Sequence, residues 1–131
     1  MPKRLRILFR YNRWLLGALC RLAYESICEV MRQATGDEEA VPGMVGATQT
    51  FGDLAHWRPH VHAIVSDGVF SKDGHFVNIS EVNLALCVVL WRKKVFDLLL
   101  QKEKIMEEVV ESMCQWMHSG FSQTARHEEK E

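Results

Sequence analysis

Residues 44–79, MVGATQTFGDLAHWRPHVHAIVSDGVFSKDGHFVNI, decide the fold. They hold two apolar runs, separated by polar punctuation and followed by Asp73-Gly74. The first run, MVGATQTFG (44–52), predicts a strand whose small residues let neighbours come close. DLAHWRP (53–59) is a connection, and its Pro59 suits the first position of a strand, where a missing N–H costs no ladder bond. HVHAIVSDGVF (60–70) predicts the next strand. Asp-Gly is a strong hairpin signal because both residues tolerate the positive φ that tight hairpin turns demand. VFS and HFVNI then form its two arms. Three antiparallel strands follow.

Working outward, RLRILFR (4–10) alternates. Leu5, Ile7 and Phe9 point one way and Arg4, Arg6 and Arg10 the other, which predicts a strand with one wet, basic face. Asn12 suits a helix cap. Beyond it Trp14, Leu15, Ala18, Leu19, Leu22, Ala23, Ile27, Val30 and Met31 recur at helical spacing, and Gly36 stops the run. One helix is expected over about 12–35, followed by a loop, GDEEAVPG. Toward the other end, Ser80 is the expected cap of NLALCVVLWRKKVFDLLLQ. KEKIMEEVVESMCQWMHSG then supplies another helix, ended by Gly120. The order strand, helix, strands, helix, helix implies an α+β fold, an antiparallel sheet with helices packed on it. We expect one folded unit over 1–122 and a polar tail over 123–131.

The 131 residues suit a single domain, and a formal net charge of −1 selects no partner. The charge is unevenly spread, however. Residues 1–35 carry seven bases (Lys3, Arg4, Arg6, Arg10, Arg13, Arg21, Arg32) against two acids (Glu25, Glu29). A basic end on a neutral chain can seat phosphates, and it can equally be a solvated face. The four cysteines form no C-x-x-C pair. That pattern fits reduced thiols in a cytoplasmic protein and argues against a disulfide framework or a zinc knuckle. Apolar runs are broken by Arg or Lys well short of a bilayer span, and no signal-peptide core follows the basic start. Glu103, Glu107, Glu108 and Glu111, at helical spacing beside Lys102 and Lys104, read as a solvated face rather than catalytic carboxylates.

His60 and His62 flank Val61. In a strand, residues two apart share a face, so the two rings stand side by side while Val61 points to the opposite side. Two neutral imidazoles on one face make half a site for a divalent metal. If the preceding strand pairs antiparallel, with Gln49 opposite either His60 or His62, then Gln49, Phe51 and Asp53 join the histidine face. The Gln49 carbonyl oxygen suits Mg²⁺ or Mn²⁺. Asp53 and His56 lie near the turn as further candidates. Taken alone, H-x-H is a weak signal that surface or core histidines satisfy equally well.

Gln49-Thr50-Phe51-Gly52, then His60-Val61-His62, then Ser66-Asp67-Gly68-Val69 resemble the metal-binding core of rolling-circle insertion-sequence transposases of the HUH nuclease superfamily. PKRLRILFRYNRWLLGALCR, LWRKKVFDLLL and MHSGFS resemble the flanking segments, so the likeness covers nearly the whole chain. It implies a palm, an antiparallel sheet carrying the His-hydrophobic-His strand. It also implies that His60 and His62 are ligands of Mg²⁺ or Mn²⁺, with Gln49 as the inferred third. The activity implied is metal-assisted cleavage and transfer of single-stranded DNA by a tyrosine hydroxyl in the bacterial cytoplasm, with no membrane involved.

In that family the nucleophilic tyrosines follow the H-x-H strand, whereas this chain has only Tyr11 and Tyr24, both before it. Tyr24 sits in the helical apolar stripe and reads as packing. Tyr11, at the end of the basic segment, is the remaining candidate nucleophile. The family's cysteine-rich zinc module is also missing. The expectation is a truncated transposase domain that holds metal and binds DNA through Arg4, Arg6, Arg10 and Arg13, with little or no cleavage. Two alternatives stand beside it: a nickase using Tyr11, and a non-catalytic interaction remnant. In the latter Met106, Met113, Trp116 and Met117 would form a partner surface or drive self-association, unless they are core.

Overall fold

The computed structural model describes residues 1, 3–52, 56–102, 104–105 and 107–115. Along the chain run α1 (Lys3–Tyr11), α2 (Trp14–Thr35), β1 (Val41–Phe51), β2 (Trp57–Phe70), β3 (Phe76–Asn78), α3 (Leu84–Gln101) and α4 (Glu107–Cys114). The strands form one antiparallel sheet in the order β1-β2-β3. The fold is α+β, with the helices packed on this sheet. The expected tail over 123–131 and the Gly120 stop lie outside the described residues.

One element differs in kind from the sequence expectation. Residues 3–11 form a helix, not a strand. Both periods fit RLRILFR, but Leu8 breaks the alternation. Leu5, Leu8 and Phe9 instead make a helical i, i+3, i+4 stripe, and Leu and Arg are strong helix formers. Leu5 and Phe9 are fully buried, while Ile7 is left outside. Asn12 also acts differently: its Nδ2 donates to the Leu8 carbonyl, closing α1 rather than capping α2.

α2 ends as expected. Gly36 takes φ 71°, and its N–H bonds the Arg32 carbonyl. The cap of α3 falls three residues beyond Ser80, where the Asn83 side chain accepts from the Leu86 N–H. The hairpin turns at the expected place with a longer loop. Gly74 has φ 84°, its N–H bonds the Ser71 carbonyl, and the Ser71 N–H bonds the His75 carbonyl. A left-handed residue closing a three-residue loop suits glycine.

The main core joins Leu5 and Phe9 of α1, Leu15, Leu16, Leu19 and Leu22 of α2, Val95, Phe96 and Leu99 of α3, and Met113 of α4. Met113 is therefore core rather than a partner surface; Met106, Trp116 and Met117 lie outside the described residues. A second cluster, Met31, Ala40 and Val69, holds the hairpin end of the sheet. Polar handles lock the layers together. Trp91 Nε1 donates to the Leu19 carbonyl, Thr48 Oγ1 to the Leu16 carbonyl, and Trp57 Nε1 to the Arg6 carbonyl. Gly46 is needed where β1 crosses α2, since a Cβ there would sit 2.7 Å from Cys20 Sγ. No helix among the described residues is long and apolar enough to cross a membrane.

Candidate metal centre

β1 and β2 pair with Gln49 opposite His60 and Ala47 opposite His62. Of the two registers the sequence left open, this is the one that sets the glutamine against the first histidine. Because α2 packs against one side of the ribbon, strand alternation sends His60, His62 and Gln49 to the other. His62 and Gln49 are exposed and His60 is half-buried. Beyond Gln49 the register shifts, and Phe51 stands opposite Trp57 with the rings edge-on at 5.9 Å.

The two imidazoles converge. His60 Nε2 lies 3.0 Å from His62 Nε2. The other ring nitrogen of His60, Nδ1, lies 2.6 Å from the Arg58 carbonyl oxygen. A carbonyl can only accept, so Nδ1 carries a proton, and in the neutral imidazole the lone pair lies on Nε2. The spacing fits a shared ion: two ligands at right angles around an octahedral metal with ~2.1 Å bonds stand ~3.0 Å apart. Without a metal, His62 Nε2–H donating to His60 Nε2 satisfies the same contact. Among the described residues no third His, Cys, Asp or Glu joins the pair. Gln49 is the neighbour with a free side-chain oxygen placed by the register. Asp53 lies outside the described residues.

The pair borders a groove of about 700 Å³. One wall is polar, with Gln49, Arg58, His60 and His62; the other is apolar, with Ile27 of α2 and Cys87, Val88 and Trp91 of α3. β3 pairs only with Gly68–Phe70. The groove can therefore reach around the edge of β2 to the helix layer. The sequence reading overlooked Arg58, although the alternation that paired His60 with His62 extends back to it.

The arginines named as DNA contacts are sorted by the helix. Arg4, Arg10 and Arg13 are exposed. Arg6 is half-buried, its Nε donates to the Met1 carbonyl, and it lies on the far side of α1 from Arg4. Tyr24 is engaged as well. Its hydroxyl donates to the Pro42 carbonyl, and burial, then the neighbouring Cys28 thiol, push the phenol above its ordinary value. A bonded phenol with a raised pKa is a poor nucleophile. Tyr11 is exposed at the end of α1. Glu107, Glu108 and Glu111 are exposed along α4, the solvated face their spacing implied.

A family model described as "Putative transposase" matches residues 43–130, the stretch that holds most of β1, all of β2 and the His60–His62 pair. The chain belongs to this transposase family. A curated relative, the transposase for insertion sequence element IS801 of Pseudomonas savastanoi pv. phaseolicola, is 38% identical over 80 residues. That match covers 61% of this chain and 18% of the relative. The chain therefore spans under a fifth of the relative's length. No solved structure matches.

Proposed function

We propose that this transposase-family chain is a metal-binding, DNA-engaging domain of the HUH type, serving rolling-circle transposition of an insertion sequence. The observation that supports it is the 3.0 Å convergence of His60 Nε2 and His62 Nε2 on the exposed side of the ribbon. His60 and His62 would hold Mg²⁺ or Mn²⁺, and the Gln49 oxygen would complete the protein's share of the ligands. The bound ion would neutralise and orient a DNA phosphate. Arg58, on the same wall of the groove, would pair with a neighbouring phosphate through its planar fork. The Arg58 carbonyl fixes the His60 tautomer and ring plane, so His60 is poised before the metal arrives.

Strand cleavage needs a nucleophile. With Tyr24 engaged, Tyr11 is the one exposed phenol of this sequence. We therefore read these residues as binding DNA, with Tyr11 the one candidate nucleophile they offer for cleavage. A domain that works on cellular DNA would act in the bacterial cytoplasm, a reading its four free cysteines suit.

Titration with Mn²⁺, followed by calorimetry and thermal unfolding, tests this reading. The wild-type chain should bind one ion and gain about 2.7 kcal/mol of stability at a free metal concentration of about 100 Kd. His60→Ala and His62→Ala should abolish the gain, and Gln49→Ala should weaken binding. A wild-type chain that binds no Mn²⁺, or binds it equally well without both histidines, rules out the metal centre.

A further inference from the structure

We propose that α1 and the first turn of α2 form a stacking platform for the unpaired bases of single-stranded DNA. Tyr11 and Trp14 supply the rings, and Lys3, Arg4 and Arg10 hold the phosphates. The proposal rests on the DNA-engaging reading above and adds where, and by which chemistry, the strand is gripped.

Four observations carry it. The first 24 residues contain six bases and no acid, so nothing within this segment neutralises its charge. The helix gathers part of that charge. At 100° per residue, Lys3, Arg4, Ile7, Arg10 and Tyr11 fall within roughly a third of the circumference, opposite the buried Leu5 and Phe9. The aromatic rings are left outside: Tyr11 is 75% and Trp14 53% exposed. Neither ring contributes to the hydrophobic core, and a further cation, Lys102 Nζ, stands 5.6 Å from the Trp14 ring centroid. Finally, α1 is tied to the histidine strand. Trp57 Nε1 donates to the Arg6 carbonyl, and Trp57 precedes His60 by three residues. A strand lying on α1 therefore runs near the start of β2.

Exposed rings interleaved with bases suit a ligand that offers both flat apolar faces and regularly spaced negative charge. Unpaired bases on a phosphate backbone offer both. A duplex hides its base faces by stacking. A membrane surface would need the apolar side of the helix, and that side is buried in the core. An acidic peptide would satisfy the bases but leave the rings without a role.

Fluorescence anisotropy of the full chain with a labelled oligothymidylate tests the proposal, with circular dichroism confirming that each variant stays helical. Tyr11→Ala and Trp14→Ala should each weaken binding roughly 5- to 150-fold, while Tyr11→Phe and Trp14→Phe, which keep a ring, should bind much as wild type. Retention in Tyr11→Phe also separates stacking from any use of the hydroxyl as a nucleophile. Arg4→Ala and Arg10→Ala should each flatten the dependence of log K on log salt by about 0.7. Wild-type affinity in the Tyr11→Ala, Trp14→Ala double variant overturns the platform and leaves the DNA reading standing. Equal affinity for duplex of the same length, or displacement of the oligonucleotide by phosphatidylserine vesicles, also overturns it. Failure of the wild-type chain to bind any DNA overturns both readings.

Discussion

The two sides of the β1–β2 ribbon are built from the same small and β-branched residues and have opposite fates. On one side Val61 packs against the main core and Val65 against the second cluster, while Thr48 bonds the Leu16 carbonyl. On the other side Val45 and its cross-strand partner Ile64 are 74% and 79% exposed. The histidine pair and Gln49 share this second side. A strand can commit every second residue to packing, which leaves the intervening ones free to carry chemistry. Here packing is vested in the helix-facing side, and the proposed metal site lies on the bare one. That division can be broken by substitutions on each side.

The largest effect should come from beneath the covered side. Leu19 is fully buried in α2, at the junction of the core helices. Leu19→Ala should lower stability by about 2–5 kcal/mol, the usual cost of a large-to-small change where the site cannot collapse. Urea unfolding measures it. A loss below about 1 kcal/mol would mean that α2 is not the layer on which the sheet depends.

A smaller effect should follow from Gly46, at the crossing itself. A Cβ there would lie 2.7 Å from Cys20 Sγ and 2.8 Å from Met44 Cε. Both are side-chain ends that can shift, so Gly46→Ala should cost about 1 kcal/mol, at the mild end of overpacking. If the clash with Cys20 is the cause, Gly46→Ala should cost less in a Cys20→Ala background. Equal costs in both backgrounds would put the strain elsewhere.

The division between the two sides was legible in the sequence because strand alternation is a local property. His60 and His62 had to share a face, and Gln49 joined them in either register that alternation allowed. The turn was legible from Asp73-Gly74 and the α2 stop from Gly36, since a left-handed backbone there favours glycine. α1 was not. Its seven central residues come close to satisfying two periods, with only Leu8 breaking the alternation, and the burial of Leu5 and Phe9 in the core with α2 and α3 fixes the helix. That choice dissolved the expected single basic face and turned Arg6 away from Arg4. The convergence of two ring nitrogens was likewise beyond reach. Alternation says which side a histidine takes, whereas its ring orientation depends on a backbone carbonyl, that of Arg58.

The smallest effect should lie on the bare side, where it probes the comparison most sharply. Ile64 is among the most exposed large apolar residues of the chain, directly opposite Val45 and two residues from His62. If the outer face is open in solution, Ile64→Thr removes no packing and keeps a β-branched residue in the strand. Its effect on stability should then lie within about 0.5 kcal/mol, and Mn²⁺ binding should be unchanged. A loss of more than about 1.5 kcal/mol would show that something covers this face. Light scattering then identifies one source: a loss that grows with protein concentration, together with a larger mass for wild type than for the variant, means a second copy is seated on the histidine side. In that event the bare face would be an interface, and the histidine pair would sit within it.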